Sequence, residues 1–310
     1  MVIHAENLTK SYGAFLALRG IDLTVQRGEV FGFLGPNGAG KTTTIRCMLD
    51  LIRPSGGSLQ VLGKDPQKES VEVRAKCGYL PGELRLDENL RVRSALRFFS
   101  QLRGGGKAML DRIGMLAERL GLDLNRKIKN LSKGNKQKIG IVAAFMHSPD
   151  LLMLDEPTSG LDPLVQQTVL ELVREARNDG ATVFFSSHVL AEVQSIADRV
   201  AIIREGEIVE VGTPAELTAS SVVHVRVVFS DKAEFSTEEF SNISGVSVAG
   251  GGDENCDIEF GVVGSIDPLI KALSHYSVES LETRRPGLEE VFLTYYGEGE
   301  SAAQRVGDQP

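Results

Sequence analysis

A glycine-rich segment whose residues could bind phosphate lies near residue 40. It fits the pattern G-x-x-x-x-G-K-[ST], and its sequence is Gly35-Pro36-Asn37-Gly38-Ala39-Gly40-Lys41-Thr42. Glycine lacks a Cβ atom, so successive backbone N–H groups can curl around phosphate oxygens. Lys41 would reach the β- and γ-phosphates of a nucleoside triphosphate, Thr42 would place a hydroxyl on Mg²⁺, and Thr43 would add a phosphate contact. The segment therefore predicts a triphosphate-binding loop.

Two adjacent carboxylates follow an apolar run farther along the chain. Leu151–Leu154 has the composition of a buried strand, and Asp155 and Glu156 come directly after it. Ligands of open parallel sheets bind at the carboxyl ends of the strands. Asp155 would therefore lie near the Mg²⁺, directly or through water, and Glu156 would aim at a water molecule opposite the γ-phosphate. The pair predicts the hydrolytic part of the same site.

The elements that must position these residues are short apolar runs that alternate with helical patterns. Val30–Leu34 precedes the glycine-rich segment, and Thr182–Ser186 is a third run of the same kind. Apolar residues at helical spacing follow the segment from Thr43 to Ile52. This alternation predicts an α/β domain with a largely parallel sheet over about residues 1–218.

A stretch rich in leucine and arginine separates the first two predicted strands. Over residues 87–128 its apolar side chains recur at helical spacing, which predicts amphipathic helices broken at Gly104–Gly106. Residues 85–138 hold 14 basic and 5 acidic side chains, a net charge of +9. We interpret the stretch as a helical insertion with a basic outer face, within a helical subdomain that runs from about residue 87 to residue 140.

The region after residue 218 has a different pattern. Two runs of alternating apolar residues predict half-buried strands and two runs at helical spacing predict helices, with first residues Val223, Cys256, Ile266 and Leu288 in chain order. We expect a small α+β domain over 219–297 and a loose tail over 298–310.

Composition and charge narrow the class of protein. Of 310 residues, 42% are hydrophobic and 25% are charged, which excludes a disordered or fibrous chain. The net charge is −8; residues 219–310 hold 6 basic and 16 acidic side chains, a charge of −10, against +2 for residues 1–218. A generally basic nucleic-acid binder is therefore not expected.

The cysteines and the lengths of the apolar runs indicate in which cellular compartment the chain works and whether it could span a membrane. The chain has 3 widely spaced cysteines and no C-x-x-C pair, which fits a reducing compartment and argues against a disulfide framework or a zinc cluster. No apolar run approaches the length of about twenty residues that a spanning helix needs, and no signal-peptide pattern opens the sequence. Work at a membrane would therefore require a separate membrane-spanning chain.

With both motifs in place, the chain resembles the ATP-binding-cassette (ABC) ATPases, the motor subunits of ABC transporters. Four further features occur in the order in which that family has them. They are Tyr12, the aromatic that stacks on adenine; Leu131-Ser132-Lys133-Gly134-Asn135-Lys136-Gln137, at the place of the LSGGQ signature; Ser159-Gly160-Leu161-Asp162, the D-loop; and His188, the switch histidine. The resemblance covers residues 1–218. It implies a P-loop NTPase fold that binds ATP and Mg²⁺, with Lys41, Glu156 and His188 as the catalytic residues.

The resemblance also implies a head-to-tail dimer. Each ATP would lie between the phosphate loop of one subunit and the signature of the other, so that Ser132 and Gly134 bind the ATP of the facing subunit. His188 would sense the γ-phosphate, and Asp162 would communicate across the dimer. Asp162 followed by Pro163 also has the pattern of a helix N-cap, a structural role that does not compete.

The partners follow from the same resemblance. The family implies a separate transmembrane permease and a peripheral position on the cytoplasmic face of the cell membrane. A second copy of this chain is the expected ATPase partner, and no nucleic acid is expected.

Two positions depart from the family pattern. Gly82 follows a Gly-Tyr-Leu-Pro segment, where the family usually has a glutamine that meets the metal site and the permease. Either the main chain and a water molecule replace it, or the carboxylate of Glu83 does. Lys133-Gly134-Asn135 replaces Gly-Gly-Gln, which preserves the backbone donors. Both departures are similar to a subset of bacterial and archaeal exporter ATPases with an SKGN signature and a small C-terminal domain.

Three functions are compatible with the nucleotide-binding motifs. The first is the ATPase subunit of an exporter whose permease is a separate chain. The second is a soluble ABC-type ATPase acting on nucleic acid or ribosomes, against which the single phosphate loop and the acidic C-terminal region argue. The third is a nucleotide sensor with little hydrolysis, against which Glu156 argues. We expect the first.

Overall fold

The computed structural model describes residues 1–219, 222–230, 240–250 and 257–284. The chain divides into two compact units, Met1–Thr213 and Pro214–Pro310. The strands of the first unit are β1 (Ile3–Tyr12), β2 (Phe15–Val25), β3 (Val30–Leu34), β4 (Gly56–Val61), β5 (Cys77–Leu80), β6 (Leu151–Asp155), β7 (Thr182–Ser187), β8 (Arg199–Arg204) and β9 (Glu207–Gly212).

A six-stranded sheet forms the centre of the first unit. Its strand order is β5-β6-β7-β3-β8-β9, and all neighbouring strands are parallel except β8 and β9. Every residue of β3, β6 and β7 is buried, because helices cover both faces of such a sheet. The three predicted buried strands and the largely parallel sheet are confirmed.

A second, antiparallel sheet in the first unit was not predicted from the sequence. Its order is β2-β1-β4. Tyr12 at the end of β1 pairs with Phe15 at the start of β2, so the connection is a tight hairpin. Gly13 in this turn has φ +60, a left-handed conformation that glycine adopts at little cost. The hairpin places two aromatic side chains beside each other.

The helices of the first unit are α1 (Lys41–Met48), α2 (Ser70–Lys76), α3 (Val92–Leu102), α4 (Lys107–Arg119), α5 (Lys133–Phe145), α6 (Pro163–Asn178) and α7 (Leu190–Ile196). The two predicted amphipathic helices are confirmed as α3 and α4. They are separated at Gly104–Gly106, where all three glycines have positive φ and the right-handed helix cannot continue.

The second unit contains α8 (Pro214–Ala219), β10 (Val223–Phe229), β11 (Val246–Gly250), β12 (Asp257–Val262), α9 (Asp267–Leu273) and β13 (Val278–Arg284). Its strands form an antiparallel sheet in the order β11-β12-β10-β13. The predictions of a strand from Val223, a strand through Ile258 and Phe260, and a helix over Ile266–Leu273 are confirmed. β11 and β13 were not predicted. The predicted helix from Leu288 and the predicted tail over 298–310 lie outside the described residues, as does Cys256.

Among the helices that the structure describes, none has both the length and the apolar composition needed to cross a bilayer.

Candidate functional site

The glycine-rich segment connects the end of β3 to the start of α1. Gly40 is the N-cap of α1, with φ +113, and Gly38 has φ +84. A Cβ atom on Gly40 would lie 2.9 Å from the Leu18 side chain and 3.0 Å from the Ala17 carbonyl oxygen, so glycine is required by space as well as by conformation. The loop therefore exposes backbone N–H groups at the positive end of a helix, which favours an anion.

Lys41 is the first residue of α1, and its ammonium group points back into the loop. The side chain is 5% exposed. Its Nζ donates to the carbonyl oxygens of Gly35 (2.6 Å) and Pro36 (3.0 Å) and lies 3.4 Å from Glu156 Oε1. Burial lowers the pKa of Lys41, and the neighbouring Glu156 carboxylate opposes that shift. The loop thus holds a buried cation at the place where phosphate charge would arrive.

Asp155 joins the loop to the central sheet. It is 1% exposed and accepts hydrogen bonds from Thr42 Oγ1 (2.7 Å, to Oδ2) and Ser186 Oγ (2.6 Å, to Oδ1). Ser186 was not assigned to the site from the sequence. It lies near the carboxyl end of β7 beside Asp155 on β6, so strand adjacency was the signal that could have found it.

Glu156 lies just beyond β6 in a left-handed conformation, with φ +51. Its N–H donates to the carbonyl oxygen of Ser186 (3.1 Å), and its own carbonyl oxygen accepts from Gln137 Nε2 (3.2 Å). Its carboxylate oxygen Oε1 lies 3.1 Å from His188 Nδ1, in addition to its contact with Lys41. Such a backbone is unfavourable for a residue with a side chain and persists where surrounding contacts hold it. The fold therefore brings together all three predicted catalytic residues.

Gly82 lies next to the acidic pair, as its position in the family pattern implies. A Cβ atom on Gly82 would stand 3.2 Å from Asp155 Oδ2. Glu83, the alternative that the sequence left open, is exposed. The main chain of Gly82 therefore borders the predicted metal site, and the role of Glu83 stays a prediction.

A cavity of about 250 Å³ opens over the loop. It is lined by Tyr12, Phe15, Ala17, Pro36, Asn37, Gly38, Gly40, Lys41, Thr42, Thr43 and Glu156. Tyr12 is 48% exposed, and Lys10 Nζ lies 5.1 Å from the centre of its ring. Phe15 is 64% exposed and was missed because the sequence was not interpreted as a hairpin there. Exposed aromatic rings beside a phosphate loop form a stacking surface for a planar base.

Two predicted loop residues are structural. Ala39 is 3% exposed, and its carbonyl oxygen accepts from the N–H of Gly206 at 3.0 Å. A Cβ atom on Gly35 would lie 2.5 Å from the carbonyl oxygen of Ile203. Both residues therefore hold the loop against β8 and its following turn, whereas the other residues of the loop line the cavity, namely Pro36, Asn37, Gly38, Gly40, Lys41, Thr42 and Thr43.

Ser132 and Gly134 are at the opening of α5, and neither is among the residues that line the cavity. Ser132 is the N-cap, and its Oγ accepts from the N–H of Asn135 at 3.3 Å. Gly134 packs so closely against the Gly160 carbonyl oxygen that a Cβ atom would collide with it. Asp162 is the N-cap of α6, with Oδ1 accepting from the N–H of Val165 at 3.1 Å, which confirms its predicted structural role.

A parallel sheet with a glycine-rich loop at the end of one strand and an acidic pair at the end of another defines the P-loop NTPase class. The family model described as ABC transporter matches residues 18–159. The linearmycin resistance ATP-binding protein LnrL of Bacillus subtilis is 34% identical over 312 residues, covering 96% of this chain and 98% of LnrL.

Two further similarities agree with this match. The probable multidrug ABC transporter ATP-binding protein YbhF of Escherichia coli is 39% identical over 223 residues, and the match covers 71% of this chain but only 38% of YbhF. A solved structure of an ATP-binding subunit of an ABC transporter has a TM-score of 0.66 and 31% identity, covering 70% of this chain and 92% of that chain. The chain belongs to the ATP-binding subunits of ABC transporters, a family of ATPases.

Proposed function

We propose that this chain hydrolyses ATP at the cavity over the glycine-rich loop and thereby powers a separate membrane-spanning exporter subunit. The proposal of hydrolysis rests on one observation. A single carboxylate oxygen of Glu156, at the wall of that cavity, lies 3.4 Å from Lys41 Nζ and 3.1 Å from His188 Nδ1. A cation for phosphate and a carboxylate for water are thereby within reach of the same reacting group.

The residues of the chain divide the work by their chemistry. Tyr12, with Phe15 beside it, stacks on the base. The loop from Pro36 to Thr43 binds the phosphates, and the backbone N–H groups that follow Pro36 are the donors. Lys41 exchanges its loop carbonyls for β- and γ-phosphate oxygens, which carry the greater negative charge. Glu156 orients the attacking water and accepts its proton, and His188 contacts the γ-phosphate.

Thr42 and Asp155 would hold Mg²⁺. The donors fit that ion, because a hydroxyl and a carboxylate oxygen stand 2.7 Å apart at the edge of the phosphate loop, and Mg²⁺ prefers oxygen ligands with substrate phosphates and water completing the set. Bound there, the ion would neutralise charge on the β- and γ-phosphates. Ser186 keeps the Asp155 carboxylate in place through its hydroxyl.

The assembly we propose is a head-to-tail dimer of two copies of this chain. Members of the family dimerise and work with transmembrane subunits. Ser132 and Gly134 open a helix and offer donors for an anion, and neither residue is among those lining the cavity of its own chain. We therefore assign these donors to the ATP of the facing subunit and Asp162 to the contact between subunits.

Export is the transport direction that the relatives favour. Relatives carry names of drug resistance or export, among them LnrL, and their names do not favour an ATPase acting on nucleic acid or ribosomes. The helical insertion over residues 87–128, with its basic outer face, would then lie against the permease and anionic headgroups on the cytoplasmic face of the membrane. In this assembly residues 1–218 are the motor, 219–297 an accessory domain and 298–310 a tail.

Hydrolysis is tested by phosphate release from ATP with Mg²⁺, by the purified chain alone and in membranes that contain its permease. Glu156→Gln should bind ATP with unchanged affinity and release phosphate about 1000-fold more slowly. Glu171→Gln makes the same chemical change at an exposed position of α6 and should keep the wild-type rate. Wild-type turnover by Glu156→Gln would contradict the assignment.

The dimer is tested with mixed assemblies in which one copy carries Ser132→Arg. That copy should bind and hydrolyse its own ATP normally, while the ATP of its unaltered neighbour loses the signature contact. Loss of hydrolysis confined to the altered copy would refute the facing arrangement.

A further inference from the structure

Glu192 is a buried carboxylate on α7 that has no part in the reaction described above. Its side chain is 8% exposed. The oxygen Oε2 accepts a hydrogen bond from Thr158 Oγ1 at 2.8 Å and another from Ser187 Oγ at 3.1 Å. Both partners of this oxygen are neutral hydroxyls. Burying a carboxylate costs free energy that burying an apolar side chain of the same size would not cost, so the presence of Glu192 here calls for a physical reason.

The two hydroxyls belong to the two loops that carry the reacting groups. Thr158 follows Glu156 by two residues, and Ser187 directly precedes His188. Ser187 Oγ also accepts from the N–H of Val189 at 2.9 Å, which closes a turn around His188. One oxygen of Glu192 thus accepts hydrogen bonds from both loops. The same two loops come together at their reacting groups, where Glu156 Oε1 lies 3.1 Å from His188 Nδ1.

The segment that starts at Glu156 depends on such external contacts. The left-handed backbone of Glu156 is bonded on its N-terminal side to Ser186, and Gln137 Nε2 donates to its carbonyl oxygen at 3.2 Å. Thr158 adds the next anchor along the chain through its bond to Glu192. Charge-assisted hydrogen bonds are about twice as strong as neutral ones, so the carboxylate is the strongest of these anchors.

We propose that Glu192 is a positioning residue for ATP hydrolysis, because its carboxylate fixes the loop of Glu156 and the loop of His188 against each other. The inference rests on the proposed hydrolysis at Glu156. Glu192 touches neither the cavity nor the phosphate loop, so its loss should act on the rate of the chemical step and leave ATP binding nearly unchanged.

The first test compares Glu192→Ala with the wild type for phosphate release and for ATP binding. We expect kcat to fall about 10- to 100-fold, the range that a misplacement of about 1 Å produces, while KM and the Kd for ATP stay within about threefold. Glu29→Ala is the matched control, because Glu29 is a carboxylate with 9% exposure that binds the N–H of Gln26 and Arg199. It should lower stability and leave kcat unchanged.

A second set of variants separates positioning from folding. Thr158→Val removes the hydroxyl without changing the shape and should lower kcat about 10-fold, whereas Thr158→Ser keeps the hydroxyl and should restore it. In the Glu192→Ala background, Thr158→Val should have no further effect on kcat, because residues that act through one contact are not additive. A general loss of packing would instead give additive effects.

The outcomes distinguish this inference from the function on which it rests. If Glu192→Ala keeps the wild-type kcat while Glu156→Gln is inactive, the positioning role is wrong and hydrolysis at Glu156 stands. If the wild type releases no phosphate in either setting, both fail. If Glu192→Ala does not fold, Thr158→Val and Ser187→Ala decide, and wild-type kcat in both overturns the inference.

Discussion

The two units of this chain bury different kinds of side chain. In the first unit the buried charged and polar residues include Lys41, which lines the cavity, and a group in or hydrogen-bonded to the segments around Asp155, Glu156 and His188, namely Gln137, Asp155, Thr158, Ser186, Ser187 and Glu192. The described core of the second unit is hydrophobic and consists of Val225, Val227, Phe229, Phe240, Val246, Ile258, Phe260, Val262, Leu269 and Leu273. Within residues 222–230, 240–250 and 257–284, no charged or polar side chain is buried.

This difference shows that the first unit buries polar groups that position reacting residues, whereas the described part of the second unit buries apolar side chains. Buried polar groups cost free energy unless each one is bonded, whereas buried apolar area stabilises directly. The first unit bears that cost at the carboxyl ends of β6 and β7, where the bonds also place reacting groups. The second unit bears no such cost in its described part, so substitutions there should change stability and not chemistry.

The largest effect that we predict belongs to the first unit. Lys41→Ala removes the buried ammonium that faces the phosphates and should lower kcat/KM for ATP about 1000-fold, equivalent to about 4 kcal/mol of transition-state stabilisation. Phosphate release and ATP titration measure it. Lys64→Ala is the control, since Lys64 pairs with Glu69 and Glu72 at the surface. Unchanged ATP affinity in Lys41→Ala would remove this residue from the site.

The matching change in the second unit is Phe260→Ala. Phe260 is fully buried and packs on Phe240 with ring centres 5.0 Å apart. Its loss should destabilise the second unit by about 3 kcal/mol and leave the rate of ATP hydrolysis within about twofold. Hydrogen exchange resolved by segment checks this, with protection lost over β10 to β13. A collapse of hydrolysis would show that the units do not divide the work.

Acid should weaken the first unit through His147. Burial lowers the pKa of His147 to about 4, and its Nε2 lies 3.2 Å from the Cys77 carbonyl oxygen. An unfolded histidine binds its proton near pH 6.5, so the unfolded state takes up more protons and stability falls as the pH drops from about 6.5 towards 4.

His147→Gln should remove about 1–2 kcal/mol of that acid-induced loss, as measured by urea unfolding at pH 7 and pH 5. An unaltered slope in His147→Gln would mean that other groups set the acid sensitivity.

The smallest effect that we predict is at the surface of the second unit. Arg226 makes an exposed ion pair with Asp257 on the neighbouring strand. Exposed pairs contribute little, because solvent and salt screen them. Arg226→Ala should therefore leave both the unfolding midpoint and ATP hydrolysis unchanged within error, and a clear shift in the midpoint would be unexpected.

Local patterns predicted the buried strands, because short, largely apolar runs bounded by glycine, proline or charged residues leave few alternatives in an α/β domain. They also predicted α3, α4 and the N-cap at Asp162. The antiparallel sheet of β1, β2 and β4 was missed, since its strands are partly exposed and their pairing depends on contacts distant in sequence. β13, which is exposed over most of its length, has no alternation to detect.

The motif residues of the site could be found in the sequence because phosphate chemistry fixes their spacing. The residues that hold these motif residues in place could not be found in the sequence. Ser186, Gln137 and Glu192 come from separate elements. Only the folded chain brings Ser186 to Asp155, Gln137 to Glu156, and Glu192 to the loops that carry Glu156 and His188. Phe15 becomes part of the cavity through the pairing of β1 with β2.

Native mass spectrometry of the Glu156→Gln chain mixed with ATP and Mg²⁺ tests the central claim most directly, because it reports the assembly and the bound nucleotide together. We predict a dimer that carries two uncleaved ATP molecules. A chain that stays monomeric with ATP bound, or a dimer that holds ADP, would contradict the proposal that ATP joins two copies and that Glu156 cleaves it.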